Sequence, residues 1–148
     1  MKALVSHKRA KFDYEILETF EAGLSLLGTE VKSVRGGQGK LEGAHVIIRG
    51  DEAFLVGASI PPFQKANAPK DFDAERVRKL LLSQKEIEHL HSEGEKKGLT
   101  IVPIKLYNSG RNLKIEIAIA RGKKKYDKRE SIKARDTKRD IERTLKFK

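Results

Sequence analysis

The chain has no cysteine in its 148 residues, which excludes disulfides and thiolate metal sites and agrees with an intracellular life. It has no apolar run approaching the roughly 18 to 20 residues of a membrane span, and its start, "MKALVSHKRAKFDYE", shows no leader pattern. A cytoplasmic protein with no membrane contact is expected. Aromatics are sparse, six Phe and three Tyr with no Trp, and several fall on core faces. A surface that reads single strands by stacking successive bases would carry more.

The signatures of catalysis are missing as well. There is no Walker loop, no Gly-x-Ser-x-Gly elbow and no nucleophilic thiol. His89 and His91 are two apart on a helical segment, so their rings point to different faces rather than to one metal. Neither a metal nor a cofactor is expected.

Positive charge is what the chain has in excess, a formal net of +11. Residues 121–148 hold 13 Lys or Arg against 5 Asp or Glu, while residues 1–120 hold 19 against 16. So uneven a split points to a tail that meets a polyanion, because clustered cations gain affinity by releasing counterions from phosphates. That length accommodates one domain, 1–120, and a basic tail, 121–148. Beyond Ala120 the apolar residues thin to Ile132, Ile141, Leu145 and Phe147, too few to offset the entropy of ordering the segment. Alone the tail should be disordered. Its Lys, Arg, Glu and Ala content, free of Pro, suits a helix formed against a polyanion.

Alternation at Phe12, Tyr14 and Ile16 predicts a first strand from about Phe12. "GTEVKSVR" reads as a short helix with Thr29 as its cap, and "AHVIIRGDEAFLVGASI" as a hairpin turning at "RGDE". "PPFQKANAPKDFDAE" is a long loop ending at Asp73, a candidate helix cap. Ser83 and Glu86 form a capping box for a helix that buries Ile87 and Leu90 and stops at Gly98. "LTIVPIKLY" and "LKIEIAIA" are the clearest strands, joined by "NSGRN". The pattern predicts a mainly β protein: an antiparallel oligonucleotide-binding-type β-barrel of about six strands, closed or nearly so and flanked by short helices. A two-layer sheet with helices on one face is the alternative.

Three stretches carry candidate binding residues. Glu30 is either a first-turn acid complementing the helix dipole, or an acceptor for a base edge or ribose hydroxyl while Lys32 and Arg35 hold phosphates. "HKRAK", with Lys8, Arg9 and Lys11, is a solvated end or a phosphate clamp. In "RVRKLLL", Leu80 to Leu82 read as core, and Arg76, Arg78 and Lys79 as surface solvation or RNA contacts. With few aromatics, folded RNA recognised by shape, phosphate and 2′-hydroxyl is the expected partner. The alternatives are a ribosomal structural protein whose tail threads ribosomal RNA, and an RNA-modifying or hydrolytic enzyme using Glu30.

"KRAKFDYEILETFEAGLSLLGTEVKSVR", "RKLLLSQKEI", "KGLTIVPIKLY" and "ARGKKKYDKRESIK" together resemble the small protein B family, the bacterial partners of transfer-messenger RNA. The resemblance implies a non-enzymatic role in trans-translation. In that family a barrel grips the transfer-RNA-like domain of the RNA. The complex is alanylated by alanyl-tRNA synthetase, carried by elongation factor Tu, and enters the ribosomal A site, where the tail occupies the empty mRNA channel as a helix. A monomer bound to RNA is implied.

Carried onto this sequence, Glu30, Lys32 and Arg35 would belong to the RNA-binding face with Lys8, Arg9 and Lys11 beside it, joined by Lys40, Arg78, Lys123 and Lys124. In the tail, Tyr126 would stack near the decoding centre. Asp127, Lys128, Arg129, Lys133, Arg135, Lys138 and Arg139 would complete the ribosome-binding segment. The sequence departs from the family pattern at His7, where Asn is usual, at Lys40, which takes an Asn position, and at Leu113, where an aromatic is common.

Overall fold

The computed structural model describes residues 3–64 and 72–123. Seven strands form one antiparallel sheet: β1 (Ala3–Ser6), β2 (Tyr14–Leu24), β3 (His45–Arg49), β4 (Glu52–Val56), β5 (Arg78–Leu81), β6 (Leu99–Ser109) and β7 (Asn112–Gly122). Among the described residues three helices accompany them: α1 (Ala10–Asp13), α2 (Gly28–Arg35) and α3 (Gln84–Gly94). The strand order is β1-β6-β7-β2-β5-β4-β3.

The β6–β7 hairpin is the frame. Its register runs from Leu99↔Arg121 to Ser109↔Asn112, and Gly110 turns the corner at φ +62°, a left-handed value that costs a glycine little. Along β7, Leu113, Ile115, Ile117 and Ile119 face the core while Lys114 and Glu116 face away, the period-two pattern of a strand with one buried side. Pro103 lies where the β6 register shifts, and a bulge tolerates its missing N–H. β2 pairs with β7 along most of its length and with β5 only at Gly23 and Leu24. The mainly β class is the one the sequence predicts, but the sheet is not a closed barrel. β3 approaches β6 without a ladder between them, and α3 packs against both, placing fully buried Leu90 in the core.

The helix α3 begins as the sequence predicts. The Glu86 N–H donates to Ser83 Oγ at 3.3 Å, and the Ser83 N–H donates back to Glu86 Oε1 at 3.1 Å. It ends at Gly94, short of the predicted Gly98, because the chain tightens first: the Lys96 N–H donates to the Glu93 carbonyl.

Elsewhere long-range partners override local pattern. Ala3–Ser6 carries no strand signal, yet it pairs with β6 because that strand offers an open edge. Phe12 lies in α1 rather than in the first strand, as residues 7–13 carry the chain from β1 to β2 and bury Ala10. Asp73 caps no helix. Its Oδ1 accepts from the Glu75 N–H at 2.9 Å in a turn that delivers the chain to β5. Among the described residues, no helix is long and apolar enough to cross a membrane.

The Ile117 side chain is fully buried at the centre of this core. Ile117→Ala should therefore lower unfolding free energy by about 2 to 5 kcal/mol, read by urea denaturation. A loss below about 1 kcal/mol would mean that the strand does not hold the core together.

Candidate RNA interface

The first turn of α2 is built around one carboxylate. Leu27, extended, precedes the helix in the capping position that the sequence reading gave to Thr29, and its N–H donates to Glu30 Oε1 at 2.8 Å. Glu30 is fully buried, and so is Arg78. Arg78 donates to Glu30 Oε2 through Nε at 2.9 Å and Nη2 at 2.6 Å. Arg76 grips the same carboxylate through Nε to Oε2 at 3.0 Å and Nη2 to Oε1 at 2.5 Å. The remaining Arg78 donors reach the carbonyls of Ala58, Ala74 and Arg76.

Burial by itself would raise the Glu30 carboxyl. Hydrogen bonds from Arg76, the Leu27 N–H and Arg78 outweigh it and hold the group below its ordinary 4.5.

Two sequence-derived assignments are corrected here. Glu30 and Arg78 are not surface side chains: both are buried, and each satisfies the other in the interior. A carboxylate saturated by two guanidinium groups and closed to solvent is also unsuited to act as a general base. The ion cluster binds α2 to the approach to β5. Thr29 Oγ1 accepts from the Phe63 N–H at 2.8 Å, and Ser33 Oγ donates to the Pro61 carbonyl at 2.6 Å, so the segment after β4 is tied to the helix too.

With α2 fixed in this way, its outward side chains have defined places. Lys32 is exposed, with its ammonium 6.0 Å from the Phe63 ring centre. Arg35 Nη2 donates to the Arg111 carbonyl in the β6–β7 turn at 2.8 Å. Between α2, that turn and the end of β5 lies a hollow of about 410 Å³, floored by Leu24, Leu26, Val31, Leu81 and Leu113 and rimmed by Arg35, Arg111, Asn112 and Lys114.

Leu81 is 56% exposed there, an unusual position for a leucine. Gly23 faces it across the strand pair, and a Cβ at that position would come within 3.1 Å of Leu81 Cβ. An apolar floor with a cationic rim can receive a base or ribose face while the rim holds phosphates.

A second concave surface, of about 620 Å³, is lined by Leu4, Val5, Ser6, Lys8, Gly37, Gly39, Lys40 and Glu42. The two hollows share no lining residue. Lys8, Arg9 and Lys11 are exposed, and Arg9 lies 4.9 Å from the Phe12 ring centre. Next to them the chain leaves the sheet: the Lys123 N–H donates to the Asp13 carbonyl, and Lys123 Nζ to the Lys11 carbonyl, each at 2.8 Å. The root of the tail is thus fastened to the amino-terminal basic segment. His7, the departure from the family pattern, is buried, and Nδ1 donates to the Pro103 carbonyl at 3.1 Å. Lys124, Tyr126, Asp127, Lys128, Arg129, Lys133, Arg135, Lys138 and Arg139 lie outside the described residues.

The structure places Lys8 and Lys40 at the second hollow and Arg35 at the first. It also adds Leu81, Arg111 and Lys114, which the sequence reading missed. The signal for Leu81 was the alternation in "RVRKLLL": with Leu80 inward, Leu81 must point out. Arg111 sat in a segment read only as a turn. His89 pairs with Glu18 at 2.8 Å and His91 with Glu95 at 3.0 Å, and among the described residues no cluster of His, Asp and Glu could hold a metal.

Removing the Glu30 charge should be costly, because two guanidinium groups would face each other without a counterion. Glu30→Ala is expected to lose about 3 to 5 kcal/mol in urea unfolding. A depressed carboxyl stabilises above its ordinary value and loses that contribution as pH falls through its folded-state value. The stability gap between the native chain and Glu30→Gln should therefore narrow below pH 4.5. A gap independent of pH would refute the ionised pairing.

The family model described as "SmpB protein" matches residues 4–147. An SsrA-binding protein of Gloeobacter violaceus is 51% identical over 145 residues, covering 98% of this chain and 95% of that one. One from Acaryochloris marina is 50% identical over 98% of this chain and 94% of its own, and one from Chloroflexus aggregans 48% over 97% and 90%. A solved structure described as "tmRNA-SmpB: a journey to the center of the bacterial ribosome" superposes with a TM-score of 0.69 at 41% identity, covering 86% of this chain and 92% of that chain. With the family pattern matched along nearly its whole length and the fold shared with that structure, the chain belongs to the SmpB protein family.

Proposed function

We propose that this protein is a non-enzymatic adaptor that binds the transfer-RNA-like domain of transfer-messenger RNA and brings it to stalled ribosomes for trans-translation. The observation that carries the reading is the hollow floored by Leu81 and rimmed by Arg35, Arg111 and Lys114, which joins apolar surface to clustered cations on a rigid frame. Names of relatives at about half identity, SsrA-binding proteins, support the same partner.

In this reading the hollow takes the folded RNA. Lys8, Arg9, Lys11, Lys40 and Lys123 face a second polyanion, the ribosomal RNA of the A site. The basic tail runs on from there through the decoding centre into the empty mRNA channel. Alanyl-tRNA synthetase and elongation factor Tu meet the complex through the RNA. The working place is the cytoplasm, and one copy binds one RNA.

This division of labour separates affinity from tagging. Deleting residues 124–148 should leave binding to transfer-messenger RNA intact in filter-binding titrations while abolishing tag addition on stalled ribosomes. Lys114→Ala and Arg35→Ala should each reduce the slope of log affinity against log salt by about 1, the signature of one lost phosphate contact. A truncated chain that no longer binds the RNA would overturn the assignment of the hollow.

A further inference from the structure

Tyr107 makes a contact that strand pairing does not require. Its ring lies on β6 and is only 4% exposed, and its hydroxyl donates to Glu21 Oε2 on β2 at 2.5 Å. β6 and β2 are not neighbours: β7 runs between them. On β7 the residue paired with Tyr107 is Lys114, and the residue paired with Lys114 on its other side is Gly23. The phenol therefore reaches across the middle strand to an acid on the far one.

The other Glu21 oxygen, Oε1, lies 3.8 Å from Lys114 Nζ. Tyr107, Glu21 and Lys114 thus form a chain of contacts that ends at the rim of the Leu81 hollow.

Physically, this chain does two things. Burial, then the hydrogen bond to Glu21 and the charge of that carboxylate, hold the Tyr107 phenol well above its usual range, so it stays a neutral donor at any pH the cell meets. A lysine on a strand otherwise samples many rotamers and loses that freedom on binding. Here a carboxylate whose own position is set by a buried donor restrains the ammonium in advance. The neighbouring cation, Lys105, has its own acid, Glu116, at 3.9 Å, so it does not compete for Glu21.

We propose that Tyr107 is a positioning residue for RNA binding: by fixing Glu21 it sets the Lys114 ammonium where a phosphate of RNA seated in the hollow must meet it. The inference rests on the hollow being the RNA interface.

A double-mutant cycle tests it, with the full chain and a transcript of the transfer-RNA-like domain. Tyr107→Phe keeps the ring and removes only the donor. It should weaken binding about fivefold to tenfold, as expected for one hydrogen bond to a charged group. Combined with Lys114→Ala it should add nothing to the loss that Lys114→Ala causes alone, because the hydroxyl acts through that ammonium. Glu21→Gln, which keeps an acceptor for the phenol but loses the attraction to Lys114, should show the same dependence and serves if Tyr107→Phe folds poorly.

Additive losses, or full affinity in both Tyr107→Phe and Glu21→Gln, overturn the positioning role while leaving the hollow in place. Full affinity in Lys114→Ala overturns the reading of the hollow itself.

Discussion

The Glu30 carboxylate, shut away from water between two guanidinium groups, is the interaction on which the rest of the arrangement depends. A buried charge of either sign is expensive alone, and a pair in the interior is tolerated only when its geometry is good and its remaining donors are satisfied. Both conditions hold here: Arg76 and Arg78 supply four donors to one carboxylate, and the leftover Arg78 donors end on backbone carbonyls. The cluster ties α2 to β5 and to the segment before it. It fixes the direction of α2, hence the position of Arg35, hence one wall of the hollow.

The sheet supplies the remaining walls, and the same alternation serves both sides of it. Isoleucines of β7 fill the core, while its Lys114 and the Leu81 of β5 are turned outward to form a surface. Rigid strands present these side chains with little freedom to lose, which matters for a partner held by phosphate contacts and shape more than by base reading. The second concave surface is built differently, from the edge strand β1 and the loop after α2. One small fold thus carries two concave surfaces, each with cations among its lining residues, that share no lining residue.

Much of this was legible in the sequence where the determinant is local. The β6–β7 hairpin follows from the apolar run of β6 and the alternation of β7 on either side of "NSGRN", and α3 from the reciprocal bonding of Ser83 and Glu86. β1 was not legible, because four residues without alternation become a strand only when an open edge waits for them. The role of "RVRKLLL" was half legible. Alternation puts Arg78 on the same face as Leu80, but an arginine facing a core makes sense only with an acid to receive it. That acid, Glu30, comes from 48 residues earlier in the chain.

The sequence by itself determined the secondary structure of the long strands, the excess of charge in the last 28 residues and the family to which the motifs belong. The tertiary structure alone decided which charges are interior braces and which are free for a partner. The reason is physical: periodicity states which residues share a face, but whether a charged face can be buried depends on a counter-charge brought from elsewhere by the fold.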